Sequence, residues 1–471
     1  MTRSAAPDAP GGAQGRRLWA AALAVVAAMT ALRLWAIAAT PLDLFTDEAQ
    51  YWQWGREWAL GYYSKPPLIG WLIGAVTGVL GTTDLTVRLP APLLHAATAL
   101  LLGALGSRLY GARVGAWVAA AYVTAPMTAV GGFLISTDSV AFPFVAAALL
   151  LWLPAPPSNG RAFAAGLLLG IGALAKYAAL YPLLGLALAA ALGIARPGWT
   201  RAGLGLAGAL LALAPNLAWN LANGLVTARH TAENADWGGP MPGALGSLTF
   251  LAEQLAVFGP VLLIALVAAP VLRPDAPTRL LACLAAPPLL AVTAQAWLSD
   301  ANANWAVMAY LPGTIAAVAV LGRALRAASL AFNAALCIAV ALLFGAPSLF
   351  PDPLATRVTE RYRDRAPVAE AVLARAEAEG LTVVAAETRS LLADLFYHGR
   401  DRGLALRSRP YPGFPPHHYA LEHAIGPGEG PALFAGRPPP CGASELAALT
   451  VPSGAHEGTI RLWRVPAGCW Q

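Results

Sequence analysis

Residues 66–80 read PPLIGWLIGAVTGVL, and this apolar segment determines how every later part of the chain is placed across a membrane. It is 15 residues long, opens on two prolines and contains Gly70, Gly74 and Gly78. A spanning helix needs about 20 apolar residues. We therefore predict a helix that lies at the membrane surface or re-enters it, where irregular backbone is tolerated if protein buries it.

The composition is that of an integral membrane protein. Hydrophobic residues make up 57% of the chain and charged residues 12%, against roughly 25% charged in soluble domains. Long apolar runs recur between residues 18 and 350, whereas no later run could span a membrane. We predict a cytoplasmic N-terminal tail at 1–17, a multi-span membrane domain at 18–350 and an external soluble domain at 351–471. The basic residues are spread along the chain rather than clustered, which argues against a nucleic-acid partner.

Basic residues in the loops orient the helices, because cytoplasmic loops carry an excess of Lys and Arg. The loops taken as internal contain Arg16 and Arg17, Arg108 and Arg113, Arg161, Arg196 and Arg201, Arg273 and Arg279, and Arg323 and Arg326. The predicted spans are then 18–40, 89–106, 114–131, 139–154, 162–175, 179–194, 202–219, 246–271, 280–298, 305–322 and 328–350. A signal peptide is the alternative for the first run, but that run exceeds the usual 7–15 residues of a signal core. Eleven spans from an internal N-terminus put the tail on the outer face.

The tail has the pattern of a small α/β domain. We predict helices at 366–379 and 389–397, strands at 381–386 and 459–465, and a proline-rich loop at 410–416. Cys283 and Cys337 lie in predicted helices and are expected to act as small hydrophobic residues. Cys441 and Cys469 lie in the tail, where they either form a disulfide or remain as two thiols.

The first external loop combines acids with aromatic residues. Asp47 and Glu48 precede Tyr51 and Trp52 in the order DEAQYW, and Tyr62 and Tyr63 follow. A carboxylate here could accept a proton from an acceptor hydroxyl, and aromatic faces suit sugar rings and isoprenoid chains. The alternatives are that the acids cap a helix and that the aromatic rings form an interfacial belt.

Basic residues on the same predicted face are candidates for a phosphate site. Lys65 is one of two lysines among 31 Lys and Arg residues and directly precedes two prolines, so its ammonium could meet a phosphate leaving group. Arg33 lies in the outer half of the first predicted span, where it either serves a site or snorkels to the interface. Arg88 and Arg229 are further external cations.

Two other external positions have competing interpretations. Asp138, in the order Ser-Thr-Asp-Ser, either caps the next helix or holds a substrate. His230 is a weak candidate for a metal ligand and is more simply a surface histidine.

Four motifs in this order resemble the polyprenyl-phosphate-sugar-dependent membrane glycosyltransferases of the C-type superfamily, which include protein O-mannosyltransferases and lipid A aminoarabinose transferases. The motifs are DEAQYW from Asp47, YSKPPL with Lys65, RLP from Arg88, and STD ending at Asp138. The resemblance implies an α-helical polytopic protein of about 11 spans, with surface helices in the first external loop. It also implies that Asp47 lies at the transfer centre. Asp138 would then orient the acceptor or the sugar, and Lys65 would contact the lipid phosphate.

We therefore predict a glycosyltransferase of the bacterial inner membrane with a periplasmic C-terminal domain. It would move a sugar from a polyprenyl phosphate to an envelope lipid, glycan or protein, with inversion. The alternative is a transporter or lipid flippase, which would place charges near mid-membrane. No certain cofactor is predicted, and a divalent metal is only a weak candidate. Some relatives have a metal-binding Glu directly before the Lys, and Ser64 replaces it here.

Overall fold

A computed structural model describes residues 13–153, 156–196, 198–237, 239 and 241–470. Residues 1–12 of the predicted cytoplasmic tail lie outside this description. The chain divides into two compact units. The first, which we call the helical unit, comprises Met1–Ala38 and Arg88–Leu342, and the second, which we call the mixed unit, comprises Ala39–Val87 and Leu343–Gln471.

The helical unit is built from apolar helices that follow the predicted runs. Its α-helices are Ala13–Ala39, Pro90–Tyr110, Ala112–Thr124, Pro126–Gly131, Thr137–Trp152, Asn159–Ala173, Tyr181–Ala191, Trp199–Ala222, Val226–Ala235, Gly243–Phe258, Pro260–Leu272, Ala276–Leu298, Tyr310–Val320 and Arg323–Gly345, with 3₁₀ turns at Tyr177–Leu180 and Ala303–Ala309. Each of the eleven predicted helices has a helical counterpart, so the prediction of a polytopic α-helical protein is confirmed.

Two predicted helices are broken. The helix Ala112–Thr124 ends at Thr124, and Pro126 begins a new helix two residues later. Proline cannot donate the main-chain hydrogen bond that would continue the helix Ala112–Thr124. Gly259 has φ +93°, a conformation that glycine adopts without strain, and the helices on either side of it are bent by 110°. Within the described residues six helices are long and apolar enough to cross a membrane, or seven if this bent pair is one span. The number of spans therefore stays a prediction.

Small residues let the helices of this unit approach closely. A Cβ at Gly166 would overlap the main chain of Gly205, and one at Gly208 would overlap the carbonyl of Phe163. The helices Asn159–Ala173 and Trp199–Ala222 therefore pack backbone against backbone, which is typical of small residues at membrane helix interfaces.

The mixed unit joins the first loop to the C-terminal α/β region. Its α-helices are Thr46–Arg56, Leu68–Leu80, Asp84–Arg88, Asp352–Thr359, Arg365–Ala378, Arg389–His398 and His418–Glu422, with 3₁₀ turns at Pro347–Leu349 and Glu360–Tyr362. Its strands are β1 (Val383–Ala386), β2 (Ala405–Ser408), β3 (Ala432–Ala435), β4 (Ser444–Val451) and β5 (Gly458–Val465). The predicted α/β character of the tail is confirmed.

The five strands form one sheet in the order β2-β1-β3-β5-β4. β1 is parallel to both neighbours, with Val383 opposite Ala405 and Ala432, and β5 is antiparallel to β3 and β4. The predicted strands correspond to β1 and β5, whereas β2, β3 and β4 were not predicted. All four residues of β3 are buried, so this strand lacks the polar alternation that marks a half-buried strand in sequence.

A disulfide closes the end of this sheet. Cys441 and Cys469 are bonded, which resolves the two alternatives left open by the sequence. Both pack against a small core of Ala385, Phe434 and Val465. Cys283 and Cys337 are buried free cysteines, as expected.

Replacing Cys441 and Cys469 together by serine is expected to destabilise the protein by about 2–4 kcal/mol, because the bond restricts the unfolded chain. The cysteines are 28 residues apart. The measurement is the melting temperature of the purified protein with and without reductant. Reductant should lower it in the natural protein and leave the double variant unchanged. An equal response of both proteins would contradict the prediction.

The helix Leu68–Leu80 is the observed form of the segment at 66–80, and it is 13 residues long. It crosses the helix Thr46–Arg56 at glycines: a Cβ at Gly55 would lie 2.7 Å from the amide nitrogen of Gly74, and a Cβ at Gly74 would overlap the carbonyl of Gly55. Glycine at both positions therefore allows the two backbones to touch. Whether the helix re-enters the membrane stays a prediction.

Gly74→Ala is expected to destabilise the mixed unit by about 1–3 kcal/mol, because the added methyl forces the two helices apart. Gly78 is the matched control, since it lies one turn further along the same helix and a Cβ there meets nothing within 4 Å. Gly78→Ala should be neutral or stabilising by up to about 1 kcal/mol. Thermal unfolding of the two variants measures the difference, and equal stability would contradict the predicted contact.

Candidate active site

The two acids of the first loop have different environments. The helix Thr46–Arg56 begins directly after Phe45, whose N–H donates to Oε2 of Glu48 at 3.0 Å. Glu48 is only 1% exposed, so its carboxylate is used in capping the helix. The side chain of Asp47, one residue earlier, is 41% exposed. Asp47 is therefore the acid that is accessible for chemistry.

Arg389 holds the Asp47 carboxylate. Its Nη2 donates to Asp47 Oδ1, and its Nε donates to Gln50 Oε1 at 2.7 Å. Arg389 is the first residue of the helix Arg389–His398, whose N-terminus is capped by Thr388. Burial is the largest influence and lowers the pKa of Arg389. The charge and the hydrogen bond of Asp47, together with Tyr51 and Tyr419, outweigh it and raise the pKa above its ordinary value. The guanidinium thus fixes the orientation of Asp47 and offsets its charge.

The predicted sugar or lipid contacts Tyr51, Trp52, Tyr62 and Tyr63 are all buried in the mixed unit. The ring of Tyr62 stacks on Trp54 with centroids 4.7 Å apart, and its hydroxyl donates to the Trp54 carbonyl at 2.6 Å. These contacts shape the loop. A role in ligand contact stays a prediction, and it would require the rings to become accessible.

The other rings contact the tail. The hydroxyl of Tyr63 donates to the carbonyl of Pro415 at 2.8 Å. Trp52 meets the edge of Tyr397 with centroids 5.0 Å apart. The first loop and the tail therefore form one packed structure within the mixed unit.

Lys65 lies in the bend that precedes the helix Leu68–Leu80, and its side chain is half-buried. Its carbonyl accepts the N–H of Tyr62 at 3.1 Å. This bond closes the turn that presents Lys65 after Tyr63 and Ser64. The prolines at 66 and 67 then stiffen the backbone on the other side.

In the helical unit Asp138 forms an ion pair that the sequence analysis missed. Lys176 Nζ lies 2.8 Å from Oδ1 and 2.9 Å from Oδ2 of Asp138. The alternative role of Asp138 was to cap the helix Thr137–Trp152. Ser136 caps that helix instead, since its hydroxyl accepts the N–H of Ser139 at 3.2 Å. Lys176 is the second of the two lysines, and that rarity is the signal that could have identified it.

Arg33 and Arg88 are buried in the helical unit. Arg33 Nη2 donates to the Val123 carbonyl at 2.7 Å and to Thr128 Oγ1 at 2.8 Å. It thereby has a structural role at the main-chain break before Pro126, and its burial argues against snorkelling to the interface. The Arg88 guanidinium lies 4.9 Å from the centre of the Phe133 ring, a cation–π contact.

Arg229 and His230 lie on the helix Val226–Ala235, in a segment predicted as a loop. Arg229 is exposed, and Nε2 of His230 lies 3.1 Å from Nδ2 of Asn234. Among the described residues His230 belongs to no group of three metal-binding side chains. The metal candidate therefore gains no support from its surroundings.

The candidate site residues are thus divided between the two units. Asp47, Glu48, Tyr51, Trp52, Tyr62, Tyr63 and Lys65 lie in the mixed unit, and Arg33, Arg88, Asp138, Arg229 and His230 lie in the helical unit. The structure brings Asp47 together with Arg389, and Asp138 together with Lys176. Each pair holds an acid in a fixed position beside a cation.

The fold is similar to that of a protein of known structure. ArnT from Cupriavidus metallidurans matches in its apo state with a TM-score of 0.63 and 15% identity, covering 97% of this chain and 99% of ArnT. The structure of ArnT bound to undecaprenyl phosphate matches with a TM-score of 0.65 and 16% identity, covering 98% of this chain and all of ArnT. The chain therefore has the fold of ArnT over nearly its whole length.

Sequence comparisons define the family. The model for dolichyl-phosphate-mannose-protein mannosyltransferases matches residues 64–219. The lipid A galacturonosyltransferase RgtD of Rhizobium johnstonii is 36% identical over 399 residues, covering 81% of this chain and 83% of RgtD. The chain belongs to the family of RgtD, and it is a membrane glycosyltransferase. The predicted resemblance is confirmed.

Proposed function

We propose that this enzyme transfers a galacturonosyl residue from a polyprenyl phosphate to lipid A. The identity of 36% with the lipid A galacturonosyltransferase RgtD is the observation that carries the proposal. A polyprenyl-phosphate donor is supported by the dolichyl-phosphate-mannose family model over residues 64–219. Protein and glycan acceptors are the alternative candidates, and the similarity to a lipid A transferase favours a lipid acceptor.

The reaction is a displacement at the anomeric carbon. An acceptor oxygen forms a bond to that carbon while the bond to the phosphate oxygen breaks, so the polyprenyl phosphate leaves and the configuration inverts. For a hydroxyl acceptor, Asp47 takes the proton as general base, held in position by Arg389. A phosphate acceptor is already deprotonated and is repelled by a carboxylate. Asp47 then acts by holding Arg389, whose guanidinium positions the acceptor.

The leaving phosphate needs positive charge. In our proposal the Lys65 ammonium neutralises the negative charge that develops on the phosphate. Arg88, Arg229 and Arg33 contribute to the positive potential around the donor. Asp138, oriented by Lys176, contacts the acceptor or sugar. Glu48 acts indirectly, by capping the helix that carries Asp47.

We further propose that the protein resides in the bacterial inner membrane, with the N-terminus cytoplasmic and residues 351–471 periplasmic. The disulfide between Cys441 and Cys469 supports this orientation, because disulfides persist in oxidising compartments such as the periplasm. An alkaline phosphatase fused after the last residue should be active. An inactive fusion, with a fluorescent protein active in its place, would contradict the orientation.

The sugar and the acceptor are tested with the purified protein in lipid nanodiscs. Polyprenyl-phosphate galacturonic acid, mannose and aminoarabinose are each offered with lipid A, and the lipid product is identified by mass spectrometry. We expect transfer of the uronic acid only. Transfer of another sugar would refute the donor, and transfer to a peptide but not to lipid A would refute the acceptor.

A further inference from the structure

Three metal-binding side chains converge in the mixed unit. Glu57 directly follows the helix Thr46–Arg56. His418 is the first residue of the short helix His418–Glu422, and His423 directly follows that helix. Nε2 of His423 lies 3.0 Å from Oε1 of Glu57, and Nε2 of His418 lies 3.8 Å from Oε2. One atom from each residue lies within 4.8 Å of the other two.

His418 has ring nitrogens that the protein leaves unsatisfied. The His418 side chain is 3% exposed, and no described residue forms a hydrogen bond with either of its ring nitrogens. Nε2 of His423 is buried as well and faces Oε1 of Glu57 at 3.0 Å, so the two nitrogens of His418 are the unsatisfied ones. Leaving such atoms unpaired is unfavourable, so these nitrogens point to a ligand that binds there.

Neighbouring side chains hold the three groups in place. The His418 ring meets Trp54 edge to face with centroids 5.7 Å apart, and the His423 ring lies 4.7 Å from that of Phe396. Gln53 Nε2 donates to Oε1 of Glu57 at 2.6 Å. Outer contacts of this kind orient metal ligands.

We propose that Glu57, His418 and His423 bind a zinc ion. Ligand bonds of about 2.0–2.1 Å in a tetrahedral site place neighbouring ligand atoms roughly 3.3 Å apart. The observed distances of 3.0 and 3.8 Å run to the two different oxygens of the Glu57 carboxylate and are close to that value. Two imidazoles and one carboxylate suit zinc. The fourth position remains for water, and the 36% exposure of Glu57 provides a route from solvent.

The ion would tie the first loop to the tail. Glu57 lies at the C-terminal end of the helix Thr46–Arg56, whose first turn carries Asp47. Arg389 contacts that helix near its start, and the zinc would fix its other end. The ion thus keeps the helix that bears Asp47 against the tail, and this does not depend on the identity of sugar or acceptor.

The test measures zinc in the full-length protein, purified through a tag without histidine. The protein is stripped with a chelator, reloaded with zinc and dialysed, and its metal content is measured by mass spectrometry. Glu57→Gln and His423→Asn each remove one ligand. His230→Asn is the matched control, because His230 lies outside the cluster.

We expect about one zinc per chain in the natural protein and in His230→Asn, with X-ray absorption showing nitrogen and oxygen ligands at about 2.0–2.1 Å. Glu57→Gln and His423→Asn should bind zinc at least about tenfold more weakly, since even loss of an outer-shell partner has that effect. Zinc should raise the melting temperature of the natural protein but not of Glu57→Gln. Absence of bound zinc, or equal affinity in all four proteins, would overturn the proposal.

Discussion

Asp47→Asn is expected to reduce sugar transfer by about 10²–10⁴-fold, the range that a positioned general base contributes. The substitution keeps the shape of the side chain and an oxygen that can accept from Arg389. It should not unfold the loop, because Glu48 rather than Asp47 bonds to the start of the helix Thr46–Arg56. The measurement is the steady-state rate with polyprenyl-phosphate galacturonic acid and lipid A.

The kinetic constants distinguish the two roles proposed for Asp47. If Asp47 is the base for a hydroxyl acceptor, kcat falls, whereas if it holds Arg389 to position a phosphate acceptor, KM for the acceptor rises and kcat changes less. Asp401→Asn is the matched control, since the Asp401 side chain is 85% exposed in the tail. Unchanged kcat and KM in Asp47→Asn would refute both roles.

The positions of the membrane helices could be predicted because their signal is local. A helix surrounded by hydrocarbon needs a long apolar run, which is visible in the sequence. The predicted span 280–298 therefore corresponds to the helix Ala276–Leu298, and the predicted span 18–40 corresponds to Ala13–Ala39. The breaks were harder to predict. Pro126 and Gly259 were visible in the sequence, but proline and glycine also occur within unbroken membrane helices.

The partners of the site residues could not be predicted, because pairing over a long sequence distance leaves no periodic pattern. Asp47 and Arg389 are 342 residues apart. Their contact depends on the first loop packing with the C-terminal region, whereas the sequence analysis assigned these segments to separate domains. Glu57 and the histidines that face it were missed for the same reason. The motif order identified Asp47 as a candidate without revealing what holds it.

Asp394→Ala is expected to destabilise the mixed unit by about 3–5 kcal/mol, since it leaves a buried charge without its partner. The side chains of Arg365 and Asp394 are 3% and 2% exposed. Arg365 Nη1 donates to both oxygens of Asp394 at 3.1 Å, and Nε2 of His456 lies 2.6 Å from Oδ2. Thermal unfolding of the purified protein measures the change.

Glu377→Gln is the contrasting variant, because Glu377 pairs with Arg402 at the surface at 3.1 Å. Exposed pairs contribute about 0.2–1 kcal/mol, so this variant should unfold at nearly the same temperature as the natural protein.

A second comparison tests why Asp394→Ala loses more stability. Replacing both buried partners, Arg365→Met with Asp394→Leu, removes the two charges together and should recover part of the stability that Asp394→Ala loses. If the double variant is less stable than Asp394→Ala, the other hydrogen bonds of Arg365, such as that to Thr46 at 3.0 Å, contribute more than its charge pair.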